Sequence, residues 1–123
     1  MKLNQNMLNK ISFPDYEILN MDVNLENKII KIEIEGAFLD ISEGLFLKRG
    51  IIIFNNFNNL EIKYYDDNLE IFFLMKNIDL LKSIDEFIYD KSKTILKGFG
   101  KQTGKWIEYH IFDGKIEAVF DEC

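Results

Sequence analysis

Apolar and polar residues alternate with a period of two along most of this chain, and that alternation predicts strands. It is clearest in the last third, ILKGFGKQTGKWIEYHIFDGKIEAVFDE. Leu96, Gly98 and Gly100 fall on one side of a first strand, with Ile95, Lys97 and Phe99 on the other. Trp106, Glu108, His110 and Phe112 oppose Ile107, Tyr109 and Ile111 in a second. Ile116, Ala118 and Phe120 oppose Glu117, Val119 and Asp121 in a third. Asp113-Gly114 joins the last two, and an Asp-Gly pair between alternating runs is a strong hairpin signal. Lys101-Gln102-Thr103-Gly104 is a looser turn. A C-terminal three-stranded meander is expected.

Further upstream, Leu19, Met21, Val23 and Leu25 alternate with polar residues, and Glu26-Asn27-Lys28 turns the chain back. Ile30, Ile32, Ile34 and Phe38 then share one face of a second strand, within which Gly36 marks a bulge or a close backbone approach. The stretch from Ile51 to Phe57, apolar but for Asn55-Asn56, suits a central strand. Asn58-Asn59 and Asp66-Asp67-Asn68 are the next turns, with strands from Leu60 to Tyr64 and from Leu69 to Met75. Asn77 can cap a helix over 78–89, where Leu81, Ile84 and Ile88 fall at helical spacing; a strand over Phe87 to Tyr89 is the alternative. The fold class expected is α+β and β-rich: a mostly antiparallel sheet of six to eight strands with that one helix packed on it.

The 123 residues, 47% of them hydrophobic, suit a single domain over 1–123, with 1–12 loosely ordered. No apolar run reaches the roughly 18–20 residues of a membrane helix, and MKLNQNMLNK lacks the apolar stretch of a secretory signal. A cytoplasmic protein without a membrane partner is expected. The single cysteine, Cys123, permits no internal disulfide and lacks the electropositive setting of a reactive thiol. A net charge of −6 argues against direct nucleic-acid binding. The same charge suits a basic protein partner, because complementary fields steer association.

Candidate chemistry is sparse. One histidine and one terminal cysteine cannot build a nitrogen–sulfur metal site. Asp66, Asp67 and Glu70 lack the spaced ligands of a calcium loop. The glycines of GFGKQTGKW fail the spacing of a phosphate loop and of a dinucleotide fingerprint, and a strand rather than a helix follows them. Turn geometry and room for a neighbouring aromatic ring account for them better. No catalytic residue, cofactor or metal is therefore assigned. Of the phenylalanines, Phe54, Phe72, Phe73, Phe99, Phe112 and Phe120 are expected in the core, while Trp106 suits core and surface equally.

A short, acidic, Asn/Ile/Lys-rich chain carrying GFGKQTGKWIEYHIFDGKIEAVFDE resembles the immunity proteins of bacterial polymorphic toxin systems, including contact-dependent growth inhibition. The resemblance brings no defined functional motif. It implies a non-enzymatic domain that neutralises a cognate toxin by tight binding, and a basic nuclease toxin would suit the negative charge. The expected contacts are Tyr64, Tyr65, Asp66, Asp67, Glu108, Tyr109 and His110, aromatic anchors with an acidic rim. Two rivals are a small-ligand-binding β-barrel and a small enzyme using His110 and Glu108 as an acid–base pair.

Overall fold

The computed structural model describes residues 1–122, so Cys123 lies outside the described residues. A four-residue helical turn, α1 (Gln5–Leu8), is followed by β1 (Ile11–Ser12), β2 (Ile18–Asn24), β3 (Ile29–Ile34), β4 (Ala37–Leu39) and β5 (Leu45–Asn55). Then come β6 (Asn59–Asp66), β7 (Ile71–Leu74), β8 (Glu86–Ile88), β9 (Lys93–Phe99), β10 (Trp106–Phe112) and β11 (Lys115–Glu122). Two antiparallel sheets result. In the first, long β5 is central: β3 and β4 pair along one side of it, β11 along the other, and β2 and β1 lie outside β3 and β4. The second has the order β7-β6-β10-β9-β8. The fold is essentially all-β.

Alternation selects the inward side chains. Ile30, Ile32 and Ile34 from β3, Ile52 and Phe54 from β5, and Ala118 and Phe120 from β11 join Leu96, Ile107, Tyr109 and Ile111 of the second sheet in one buried cluster. Burying such a side chain contributes roughly 1.5–3 kcal/mol. Gly36 does mark a close approach, since a Cβ there would sit 2.7 Å from the Leu47 carbonyl and from the Tyr16 ring. The break also shifts the alternation by one residue. Ala37 and Leu39 are buried in β4, and Phe38 is only half-buried.

The C-terminal meander is corrected in its last third. β9 and β10 pair as expected from Trp106↔Phe99 to Phe112↔Lys93. β11 pairs instead with β5, from Lys115↔Asn55 onward. Asp113 and Gly114 do have the positive φ of a tight turn, 59° and 89°, but the turn carries the chain from one sheet to the other. Beside it, Asn56–Asn58 carries β5 into β6 in the same way. The two crossings are tied together: the Asn58 side-chain amide donates to Asp113 Oδ2 at 2.7 Å, and the Asn58 N–H donates to the Phe112 carbonyl at 2.9 Å. A Cβ on Gly114 would lie 2.9 Å from the Phe57 backbone. Strands that bend from sheet to sheet are a known way of turning such a corner.

The helix expected over 78–89 is also corrected. That segment runs beside β9 as an irregular edge: Lys101 N–H donates to Leu80 O, Lys82 N–H to Phe99 O and Asp85 N–H to Lys97 O. β8 at Glu86–Ile88 matches the strand alternative. Leu81 and Ile84 are buried in the core, whereas Ile88 is exposed, so the helical spacing is coincidental. An isolated twelve-residue helix is marginal, and the open edge of β9 offers its backbone better partners. The glycines of GFG serve this docking. A Cβ on Gly98 would lie 2.2 Å from the Ser83 carbonyl, and one on Gly100 2.1 Å from Asp79 Oδ2. They make room for a carbonyl and a carboxylate, not for an aromatic ring.

Asp79 is the buried carboxylate of this region. It accepts from the Gln102 N–H at 3.0 Å, the Thr103 N–H at 2.9 Å and the Thr103 hydroxyl at 2.6 Å. Burial raises its pKa, but these bonds, with one from the Leu80 amide, outweigh burial and hold the carboxyl below its ordinary value. A depressed carboxylate stabilises the fold above its unfolded-state pKa, and the contribution fades as pH falls through the folded value. Asp79→Asn should therefore lose about 1–3 kcal/mol at neutral pH. Its deficit against the parent protein should shrink below about pH 4, as read from denaturant midpoints over a pH series. Gly98→Ala should cost about 2 kcal/mol or more by forcing Ser83 away. Gly104→Ala, with open space but φ +70°, should cost about 1 kcal/mol.

Candidate functional site

The outward residues of the second sheet form a surface unlike an ordinary solvated face. Because Ile107, Tyr109 and Ile111 point inward, Trp106, Glu108, His110 and Phe112 point outward. Pairing builds rows across the strands from these four positions. Trp106 stands opposite Phe99, and Tyr65 opposite Phe72. One step beyond the Ile107↔Tyr64 pair, Tyr65 also faces Trp106, so four aromatic residues line up across four strands. Ring centroids are 5.1 Å apart in the Phe99–Trp106 pair and 5.2 Å apart in the Tyr65–Phe72 pair, both edge-on.

The next row is Leu74, Lys63, Glu108, Lys97 and Glu86, alternating in charge after the leucine. Lys97 Nζ lies 3.4 Å from Glu86 Oε2. A third row holds Glu61, His110, Ile95 and Ile88. In a fourth, Lys93 Nζ lies 5.5 Å from the Phe112 ring centre. Leu74 is 64% exposed, Phe99 48%, Phe72 44% and Ile88 43%. The outer face of the first sheet differs. Its rows are Asp22, Lys31, Ile53, Glu117 and Asn20, Glu33, Ile51, Val119, with one aromatic pair, Phe38–Phe46, near its end.

His110 sits in the middle of this face and is nevertheless 93% buried by its neighbours, at 7% exposure. Its Nε2 lies 2.9 Å from Glu108 Oε1, while Nδ1 is buried without a hydrogen-bond partner among the described residues. The carboxylate pins the ring with Nε2 as donor. The neighbours across the strands are Glu61 and Ile95, so no hydroxyl or thiol stands beside the imidazole to be activated. Among the described residues, no three His, Cys, Asp or Glu side chains group as metal ligands.

The expected contact residues divide between two faces. Tyr65, Glu108 and His110 come together on the outer one. Asp67 is exposed at the β6–β7 tip. Asp66 is occupied locally, its Oδ1 accepting from the Asn68 and Leu69 amides. Tyr64 points to the other face, stacked on Phe73 and lying under Lys105 Nζ at 4.5 Å. Tyr109 is withdrawn from the set. It is fully buried, donates its hydroxyl to the Asp79 carbonyl, and has its pKa raised by burial and then by the Asp79 charge.

Phe54 and Phe120 are core as expected, but Phe72 and Phe99 are exposed and Phe73 and Phe112 only half-buried. Their signal in the sequence was apolar residues on both parities of a strand, which a central strand and a strand awaiting a partner share. A cleft of about 590 Å³ lies elsewhere, between the N-terminal segment and the corner, and is lined by Leu3, Leu8, Tyr89, Thr94 and Ile116 among others. No helix among the described residues is long and apolar enough to cross a membrane. Comparison with protein-family models, with curated proteins and with solved structures finds no match for this chain.

Phe72→Ser and Phe99→Ser should each stay within about 1 kcal/mol of the parent stability, as surface changes do. Tyr109→Phe should cost about 1–2 kcal/mol by leaving the Asp79 carbonyl unpaired. Urea titrations that reversed this ranking would place the aromatic row in the core.

Proposed function

We propose that this chain is a non-enzymatic protein-binding domain and, following the resemblance of its C-terminal third, an immunity protein that neutralises a cognate toxin in the cytoplasm. The observation that carries a binding role is the outer face of the second sheet, where exposed Phe72 and Phe99 flank Tyr65 and Trp106 in one row and exposed Leu74 adjoins it. Contiguous exposed apolar surface on a small domain marks interaction sites. Aromatic anchors supply the area, since tryptophan and tyrosine dominate binding hot spots. The lysine–glutamate row beside them fixes orientation and disfavours wrong partners. The acidic excess sits at the β6–β7 tip, where Asp67 and Glu70 are exposed, and suits a basic partner such as a nuclease.

A binding role is favoured over the two rivals on particular grounds. The space between the sheets is filled by side chains such as Ile32, Leu96 and Tyr109, each at 0% exposure, which weighs against a ligand-holding barrel lumen among the described residues. The His110–Glu108 pair has one nitrogen committed and the other buried, an unfavourable setting for proton exchange with a substrate.

The deciding experiment co-expresses this chain with the product of the adjacent upstream reading frame and scores growth and complex formation. Rescue with a stable complex is expected. Trp106→Ala should weaken that complex by about 2 kcal/mol, as hot-spot truncations do. Asp67→Asn should slow association chiefly at low salt. A toxic neighbour without rescue, or a complex indifferent to Trp106→Ala, would remove the role or the face respectively.

A further inference from the structure

Among the described residues, every strand edge but one is short, polar or covered. Residues Met1–Leu3 lie along β11, with Phe120 N–H donating to Met1 O and Leu3 N–H to Ala118 O. β2 starts against Lys82 through the Ile18 N–H and carries Asn20, Asp22 and Asn24. β8 has three residues and an ion-paired Glu86. β7 has no such protection. It pairs with β6 alone, carries no charge or proline from Ile71 to Met75, and exposes Ile71, Phe72 and Leu74. Natural sheets guard edges of this kind unless the edge is used.

The backbone of β7 is set for pairing. Met75 N–H donates to Ile62 O, so alternate residues Phe73 and Ile71 also face β6, and the N–H and C=O groups of Phe72 and Leu74 face away from it. The flanking charges are of opposite sign, Glu70 before the strand and Lys76 after it. Neither forms an ion pair within the described residues. An antiparallel copy of the same strand reverses that polarity and places unlike charges together at both ends.

We propose that β7 pairs antiparallel with β7 of a second copy of this chain, about a twofold axis at Phe73. Phe72 of each copy then faces Leu74 of the other as a hydrogen-bonded pair, and the β6–β7 turn that carries Glu70 comes beside the Lys76 end of the other strand. This register keeps outward residues with outward ones, since a slip of one residue would put each apolar side chain on the wrong face. Two five-stranded sheets become one of ten, and each aromatic row runs into the Leu74 row of the other copy on a single surface. The pairing is isologous, so it consumes both edges and closes at two copies. It does not depend on the identity of any other partner.

The test is sedimentation equilibrium of the full chain from micromolar to millimolar concentration. A reversible dimer is expected. Glu70→Lys and Lys76→Glu should each weaken it about tenfold, through two like-charge contacts per dimer. The double variant should restore it. Leu74→Pro, which removes an outward N–H and no bond to β6, should abolish it while the circular dichroism spectrum stays unchanged. A monomer at millimolar concentration would overturn the proposal, as would open-ended aggregation or a dimer insensitive to both charge reversals. A monomeric chain that bound an extended peptide along β7 would reassign the edge to a different occupant.

Discussion

At the corner where β5 passes into β6 and β10 into β11, two antiparallel strands leave one sheet together and enter the other together. This paired crossing is the constraint from which the rest of the architecture follows. Because the ladder is continuous on both sides, from Lys115↔Asn55 in the first sheet to Phe112↔Asn59 in the second, the bend must fall at the same place in both chains. Positive φ at Asn56, Asp113 and Gly114 allows the bend. The Asn58–Asp113 hydrogen bond and buried Phe57 hold it. With the corner fixed, β3, β4 and β2 can only extend the first sheet, and β7, β9 and β8 only the second.

The two outer faces then differ in kind. On the first sheet, charged positions flank a half-buried isoleucine strip, as expected of a solvated antiparallel face. On the second, the outer parity of β7 is apolar and those of β9 and β10 mix Phe99, Trp106 and Phe112 with lysines, Glu108 and His110, and this parity has no covering element. The interior of that sheet is secured independently of this surface. Tyr109 reaches from β10 to the Asp79 carbonyl, and the Asp79 carboxylate caps the turn between β9 and β10. Tyrosine 109 and its neighbours Glu108 and His110 thus belong to opposite sides of one strand and do unrelated work.

Much of the strand pattern was legible in the sequence, because period-two alternation depends only on which residues a half-buried strand buries. Ile30, Ile32 and Ile34 declared their face, and Asp113-Gly114 declared its backbone conformation. Turn chemistry does not say in which sheet the next strand will find a partner, so β11 was assigned beside β10 when it lies beside β5. The segment from Leu81 to Ile88 carried helical spacing, and the carbonyl-sized gap at Gly98 that draws it onto β9 exists only in the folded chain. Core and contact aromatics were not separable either. Phe120 and Phe99 occupy equally apolar surroundings in sequence, but one is buried over Gly50 and the other, beside Trp106, stays about half exposed.

The corner also orders the steps by which this chain can fold. Asn58 and Asp113 are 55 residues apart, and closing a loop of that length comes before the contacts that reward it. Until β10 and β11 are available, β5 lacks its partner on one side and β6 is left with β7 alone. During synthesis both strands therefore emerge with an unsatisfied edge, and neither sheet is complete before the final third of the chain arrives. A nascent chain in that state presents the apolar run from Ile51 to Phe54 to its surroundings, the condition in which a chaperone that shields open strands has most to do.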